Sequence, residues 1–182
     1  DYLCREGAAP FGAIEEGGYH HYATYLKRQI QVEAEEKVPE GKMAKLLYDM
    51  YQPDCAKYAV ESDVPQIYEL LLENFDLQAD HIPSEDDLLQ IVKEKEVMIY
   101  KIGDKIECFF IYRREGKKLY CAFSYNHASA DILYSIERRV KEIEYEENGI
   151  KMHYAWFNAE NKKALRRNAW KDTKIRDYIF VK

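Results

Sequence analysis

Three strand-like segments followed by one long helical segment constrain the fold more than any other feature of this sequence. Glycines in the two short connections, Gly103 and Gly116, are turn signals, so the spacing predicts consecutive antiparallel hairpins. The helical segment has apolar residues at helical spacing, and Gly149, a residue type typical of helix C-termini, follows it directly. We place the strands at Val97–Ile102, Lys105–Arg113 and Lys118–Phe123 and the helix at Ala128–Asn148.

Shorter periodic segments extend this pattern on both sides. Asp63 and Gln66 have the spacing of a capping box at the start of a helix, and Pro65 lies in its first turn. The further predicted elements are a strand at Lys57–Val60, helices that open at Asp63 and Ser84, a strand at Ile150–Phe157, a helix at Glu160–Trp170 and a strand at Ile175–Val181. The order β-α-α-β-β-β-α-β-α-β predicts an α/β fold with a mixed, mostly antiparallel sheet flanked by helices.

The N-terminal residues lie outside this pattern. Glycines and a proline predict a loop up to about residue 18. Apolar residues then recur four positions apart from Tyr22 to Ile30, which predicts a helix over Tyr19–Lys37, and a second helix is expected at Lys42–Tyr51. We expect these helices to pack on the following domain or to contact a partner domain or a second copy of the chain. The domain organisation we predict is an N-terminal loop and helical extension over residues 1–53 and one domain over residues 54–182.

Composition and charge argue against several classes of protein. The net charge of −6 and the isoelectric point near 5.5 disfavour a nucleic-acid surface, because such binding depends on neutralising phosphates. No run of about 18 apolar residues exists, and the start of the chain lacks the pattern of a signal peptide, so we expect neither a membrane span nor secretion. The four cysteines show no C-x-x-C spacing, which favours reduced thiols in the cytoplasm over disulfides or a metal site.

Two segments carry a resemblance to a known family. Ala59–Pro65 combines a strand, an acidic residue and the start of a helix, and Tyr154–Leu165 combines a strand and a helix with an N-x-x-A element at Asn161 and Ala164. With the order of elements, they resemble the GNAT superfamily of acyl-CoA-dependent N-acyltransferases over about 125 residues. The resemblance implies transfer of an acetyl or other acyl group, from acetyl-CoA or another acyl-CoA, to the amine of a small molecule or peptide.

The family places its pyrophosphate loop, Arg/Gln-x-x-Gly-x-Gly/Ala, between its fourth strand and the next helix. The matching stretch is Tyr125–Ala130, in which Ala128 and Ala130 keep small side chains, while Tyr125 and Ala128 depart from the pattern. Such a loop binds phosphate through backbone N–H groups and the positive end of the helix dipole. The same stretch also fits a plain turn in which Ser129 or Asn126 caps the helix. The cofactor contacts that the resemblance implies come from Phe123, Ser124, Tyr125, Asn126, His127, Ala128, Ser129, Ala130, Asn158 and Asn161.

Acyl transfer to an amine needs a base, and we name His153 as the candidate catalytic residue. His127 and Glu107 are further candidates, although Glu107 also fits a solvated strand face. The tyrosine that serves as general acid in the family falls at Asn168 in this chain, so that donor is absent from its usual place. The basic residues that fit either the nucleotide end of CoA or a solvated helix face are Lys162, Lys163, Arg166 and Arg167.

Two functional hypotheses follow. The first is an acyl-CoA-dependent N-acyltransferase in which the substrate amine attacks the acyl group directly. The second is a GNAT-fold domain without acyl transfer that acts as a binding or interaction module. Tyr125, Ala128 and the missing tyrosine at Asn168 favour the second hypothesis. Asn158 and Asn161, which also suit helix caps, and the usual activity of this fold favour the first.

Overall fold

The computed structural model describes residues 2–5, 11–33, 37–167 and 172–182. The strands in these ranges are β1 Tyr2–Arg5, β2 His20–Gln31, β3 Lys57–Tyr58, β4 Val97–Ile102, β5 Lys105–Glu115, β6 Lys118–Asn126, β7 Met152–Asn158 and β8 Asp172–Val181. The helices are α1 Phe11–Glu16, α2 Lys42–Asp49, α3 Val64–Asn74, α4 Glu85–Lys93, α5 Ala130–Asn148 and α6 Lys162–Arg167. The element order predicted from residue 57 onward is confirmed.

The described chain forms two compact units. The first unit consists of the described residues of ranges 1–30, 76–81 and 154–182, and the second unit of those in ranges 31–75 and 82–153. The boundary expected between residues 53 and 54 stays a prediction, because compactness does not show which segment folds alone.

The second unit is built on an antiparallel sheet with the strand order β3-β4-β5-β6. Its most buried strand is β5, where every residue from Ile106 to Tyr112 is buried. Phe109 and Ile111 pack with α3 and α4, whereas Cys108 and Phe110 pack with α5, because successive side chains of a strand point to opposite faces. The unit is therefore a sheet covered by helices on both faces, and antiparallel pairing prevails as the sequence predicts.

Local sequence sets the ends of two helices. The hydroxyl of Ser84 accepts the backbone N–H of Asp87 at 3.2 Å, so Ser84 caps the start of α4. Gly149 follows the last residue of α5 with a φ of 63°, a left-handed conformation in which glycine carries no steric penalty. Both boundaries agree with the sequence analysis.

The capping box predicted for Asp63 and Gln66 is wrong. The carboxylate of Asp63 accepts the N–H of Val60 at 3.0 Å and pairs with the ammonium of Lys101 on β4. The side-chain oxygen of Gln66 accepts the N–H of Ile106 on β5 at 2.7 Å. Both side chains therefore bond to neighbours that the tertiary fold supplies, which a local spacing rule cannot anticipate.

In the first unit the strand order is β1-β8-β2-β7, and β8 is antiparallel to β1 and β2. The short segment 76–81 belongs to this unit because two tyrosines of β2 hold it. Tyr22 donates to Asp76 at 2.6 Å, and Tyr25 donates to Asp80. Burial and the hydrogen bond to Asp80 raise the pKa of Tyr25, so its phenol stays protonated and remains a donor at neutral pH.

The N-terminal prediction is wrong in the described residues. β1 and α1 lie where a loop was expected, and strand β2 replaces most of the helix predicted over Tyr19–Lys37. Apolar residues four positions apart fit a helix, but the same spacing also fits one face of a regular strand, because four is a multiple of the strand period of two. In β2 an irregularity in pairing at Tyr22 interrupts that period. The second predicted helix is confirmed as α2, and residues 34–36 lie outside the described residues.

A buried carboxylate joins β5 to the C-terminal half of α5. Glu144 is 0% exposed and accepts from the guanidinium of Arg114 at 2.6 and 2.7 Å, from the hydroxyl of Tyr112 at 2.9 Å and from the amide of Asn148 at 2.8 Å. Those bonds raise the pKa of Arg114 above its ordinary value. Since a buried charge is tolerated only when it is paired, this network fixes the position of α5 on the sheet.

Replacement of Glu144 by Gln should lower the free energy of unfolding by about 2 kcal/mol, because it weakens the charge-assisted hydrogen bonds to Arg114 and leaves Glu96, 3.5 Å from the guanidinium, as the remaining carboxylate partner. The exposed residue Glu146 provides the matched control, and its change to Gln should shift stability by no more than about 0.5 kcal/mol. Urea denaturation followed by circular dichroism measures both. Equal stabilities of the two variants would contradict the structural role of Glu144.

Candidate functional site

The loop between β6 and α5 is closed by a backbone carbonyl. The N–H groups of His127 and Ala128 donate to the carbonyl oxygen of Glu107 on β5, at 2.8 and 3.2 Å. These two amides lie in the stretch that the sequence analysis matched to a pyrophosphate loop. Because both already have an acceptor, they can donate to an anion only if this contact with Glu107 opens.

The start of α5 differs from both capping predictions. Ser129 is extended, with φ −76° and ψ 161°, and its hydroxyl makes no capping hydrogen bond within the described chain. The side-chain amide of Asn126 donates to the carbonyl of Ser129 at 3.2 Å. The first backbone N–H groups of α5 therefore lie at the positive end of the helix dipole. The carboxylate of Asp131 is in the same turn.

A cluster of three charged or ionisable side chains adjoins this loop. The carboxylate of Glu107 is 2.8 Å from the ammonium of Lys105 and 2.6 Å from Nδ1 of His127. The side chain of Glu107 is 11% exposed, whereas those of Lys105 and His127 are 63% and 68% exposed. The solvated strand face expected at Glu107 is wrong, because Glu107 is buried and Lys105 and His127 both pair with its carboxylate.

The hydrogen bonds fix the charges in this cluster. Lys105 and His127 lower the pKa of Glu107, and Glu107 raises the pKa of Lys105, so both groups of the Lys105–Glu107 pair are charged at neutral pH. An ionised carboxylate only accepts, so Nδ1 of His127 carries a proton and donates to it. Nε2 of His127 is then the ring atom available to a ligand, as an acceptor in the neutral ring or a donor in the imidazolium.

Packing explains why a tyrosine stands where the family has Arg or Gln. The ring of Tyr125 stacks on Phe109 with centroids 5.4 Å apart, and Phe123 packs edge-on against Phe75 at 5.0 Å. Both side chains join the core formed by β5, α3 and α4. Ser124, between them on β6, pairs with Phe110 of β5 and is half-buried. Tyr125 therefore contributes to the core at the position where a polar contact was expected.

His153 lies in a different environment from His127. It is 7% exposed, its Nδ1 is 3.6 Å from Oε1 of Glu137 on α5, and its ring meets Phe110 edge-on at 6.1 Å. Burial against the sheet restricts the approach of a substrate to this ring. Its catalytic role stays a prediction.

Asn158 and Asn161 belong to the first unit, where both have local hydrogen bonds. Asn158 accepts the N–H of Glu160 at 2.9 Å, and Asn161 accepts the N–H of Ala164 at 3.1 Å. Asn161 therefore caps α6, as the sequence analysis had proposed as an alternative to a CoA contact. Asn168 and the side chains of Lys163, Arg166 and Arg167 lie outside the described residues.

The sequence predicted a loop between β6 and α5 but not its hydrogen bonds to Glu107. Lys105 and Glu107 are two positions apart on one strand, a spacing that places side chains on the same face and was visible in the sequence. The contact of Glu107 with His127, 20 residues away, depends on the register of β5 with β6. The roles of all ten proposed cofactor contacts stay predictions.

Solved structures with the same arrangement of elements are known. A GCN5-related N-acetyltransferase from Sphaerobacter thermophilus matches with a TM-score of 0.63 at 15% identity, over 96% of this chain and 56% of its own. An acetyltransferase of the GNAT family from Colwellia psychrerythraea matches with a TM-score of 0.56 at 11% identity, over 98% of this chain and 64% of its own. The chain has the GNAT fold. A third GNAT-family structure, from Novosphingobium aromaticivorans, agrees with a TM-score of 0.54 at 13% identity, over 91% of this chain and 68% of its own.

The GNAT fold is therefore assigned from structural similarity and not from sequence similarity. No family model and no curated protein matches the sequence significantly. The chain spans a little over half the length of the Sphaerobacter structure and under two thirds of the Colwellia one. In the described residues, no helix has the length and apolar character needed to cross a membrane, and no group of three or more His, Cys, Asp or Glu residues is arranged to hold a metal ion.

The pKa of Glu107 should lie below its ordinary value of 4.5 and should rise when Lys105 is replaced by Met, because the ammonium stabilises the carboxylate. Since the pKa is lowered in the folded state, Glu107 stabilises the fold above the ordinary pKa, and this contribution disappears as the pH falls through the folded pKa. NMR titration of the carboxyl carbon measures the shift. An unchanged pKa in Lys105→Met, or an equal change in the control Lys118→Met at the far end of β6, would contradict the pairing.

Proposed function

We propose that this GNAT-fold chain is an acyl-CoA-dependent N-acyltransferase that moves an acetyl or other acyl group to the amine of a small molecule or peptide. The observation that carries the proposal is the pair of exposed basic side chains, Lys105 and His127, beside the loop where β6 runs into α5. In the proposal these side chains meet the phosphates of CoA. They supply the positive charge that Tyr125 cannot supply at the position of the family's Arg or Gln.

Some of the groups beside the loop suit a CoA phosphate, and others do not. Ammonium and imidazolium groups are good donors to phosphate oxygens, and the small residues Ala128 and Ala130 leave room at the loop. The first turn of α5 adds amides and the positive end of its dipole. The backbone N–H groups of His127 and Ala128 cannot donate to a phosphate in this loop conformation, because both donate to the carbonyl oxygen of Glu107. We therefore expect side chains to carry more of the phosphate contact here than the loop backbone does.

The reacting groups would lie further back along β6. The proposal places the thioester carbonyl near the backbone of Phe123 and Ser124, where N–H groups can stabilise the developing oxyanion. His127 is three residues beyond Ser124, about 10 Å along an extended strand, so it suits the phosphates better than the reacting amine. His153 remains the candidate base, with Glu137 as its neighbour. The neutral amine attacks the carbonyl carbon, the C–S bond breaks, the nitrogen loses a proton to the base, and the CoA thiolate takes up a proton and leaves as the thiol.

A binding or interaction module without acyl transfer is the second candidate, and one observation favours it. The carbonyl of Glu107 satisfies the two loop amides that would otherwise cradle a pyrophosphate. In either case the proposal places the protein in the cytoplasm, consistent with cysteines that lack the spacing of a disulfide framework.

Thermal unfolding with 1 mM acetyl-CoA tests the first requirement of the enzyme proposal, which is that the chain binds the acyl donor. A ligand that binds only the folded state with a Kd near 0.1 mM stabilises it by about 1.4 kcal/mol, which corresponds to a rise in Tm of roughly 3 to 6 °C. Lys105→Ala should remove most of this shift, whereas Lys118→Ala, at the opposite end of β6, should retain it.

Thiol release in the presence of a panel of amines then tests for transfer. Release of CoA that depends on an amine would support the enzyme. No shift in Tm with acetyl-CoA, CoA or longer acyl-CoAs would overturn the enzyme proposal and leave the interaction module.

A further inference from the structure

Glu107 supplies an acceptor to four donors around one loop. Its carbonyl oxygen accepts the N–H groups of His127 and Ala128, and its carboxylate accepts from His127 and Lys105. The two carboxylate oxygens divide the side-chain donors, Oε1 with Lys105 at 2.8 Å and Oε2 with His127 at 2.6 Å. One residue therefore accepts from two backbone donors of the loop and from two side chains beside it.

A phosphate group would need the same donors. Phosphate and carboxylate are both anionic oxygen acceptors, and each is bound by ammonium, imidazolium and backbone N–H groups. We propose that Glu107 acts as an internal anion at this loop, competing with the phosphates of the ligand for Lys105 and His127 and so setting the affinity for acyl-CoA. The inference rests on the proposed function, because it concerns how the same site is filled.

The electrostatics of the cluster support this competition. The carboxylate is almost covered, while the two basic groups reach solvent, so an incoming anion meets Lys105 and His127 with Glu107 directly behind them. With Glu107 ionised, the three groups sum to zero, or to one positive charge when His127 is protonated. Removal of the Glu107 charge leaves the basic groups uncompensated.

The test compares binding of CoA and of inorganic pyrophosphate to the wild-type chain and to Glu107→Gln by isothermal titration calorimetry at 50 and 500 mM salt. Gln has the same length and keeps a carbonyl oxygen as acceptor, and the variant keeps the backbone carbonyl that closes the loop. We expect Glu107→Gln to bind CoA about tenfold more tightly at low salt, the order expected when one unit charge close to the ligand is removed near a protein surface. The gain should shrink at high salt, because exposed charges are screened.

Three further variants isolate the cause. Glu147→Gln changes the net charge equally but lies near the other end of α5, about 25 Å along the helix, so it should bind as wild type does. Lys105→Ala in the Glu107→Gln background should remove most of the gain. Thermal unfolding confirms that each variant is folded, and Glu107→Ala replaces Glu107→Gln if the latter is not.

The outcomes separate this inference from the proposed function. If the wild type binds CoA and Glu107→Gln binds it more tightly, both the inference and the proposed function are supported. If only Glu107→Gln binds CoA, the inference is supported and CoA binding by the native chain is overturned. Equal affinities of wild type and Glu107→Gln overturn the inference and leave the proposed function standing. A gain that is insensitive to salt, or equal in Glu147→Gln, also overturns the inference. Binding by neither chain overturns both.

Discussion

The pairing of one carboxylate in the central strand is the interaction on which the candidate site depends. β5 is buried from Ile106 to Tyr112, and Glu107 is the one charged residue in that run. A buried carboxylate is stable only with partners, and the nearest sources are the start of its own strand and the loop beyond β6. Lys105 and His127 meet this need, and the carbonyl of Glu107 closes the same loop. The geometry of the candidate site is thus a consequence of how the sheet accommodates one residue.

The sequence predicted the second unit well because its signals are local. The bounds of β4 agree with the prediction, and α5 ends where Gly149 indicates. In the first unit the sequence predicted β7, α6 and β8, but it could not predict the N-terminal part. β2 bonds to β8, at the other end of the chain, and the four-residue spacing from Tyr22 to Ile30 does not distinguish a helix from a strand. Long-range pairing, which leaves no local signal, decided that region.

At the candidate site, too, the sequence predicted local features but not long-range contacts. The sequence predicted a loop at Tyr125–Ala130, and the structure places residues 127–129 between β6 and α5, with Tyr125 and Asn126 on the strand. The sequence also identified His127 and Glu107 as titratable residues of interest. It could not show that their side chains meet, because that contact depends on strand register. It also could not show that Tyr125 stacks in the core on Phe109. The likeness to GNAT structures covers most of the chain and shows the fold, whereas the proposed activity depends on these few contacts.

Amide hydrogen exchange at the loop tests the account most directly, because the account holds that Glu107 satisfies the backbone before any ligand binds. In the free protein the amides of His127 and Ala128 should exchange at least roughly a hundredfold more slowly than in an unfolded chain, since both donate to the carbonyl of Glu107. The protection should persist in Glu107→Gln, which keeps that carbonyl. The account would be contradicted if both amides exchanged at the rate of an unfolded chain and became protected only after acyl-CoA is added. The loop amides would then bind pyrophosphate directly, as in the conventional loop.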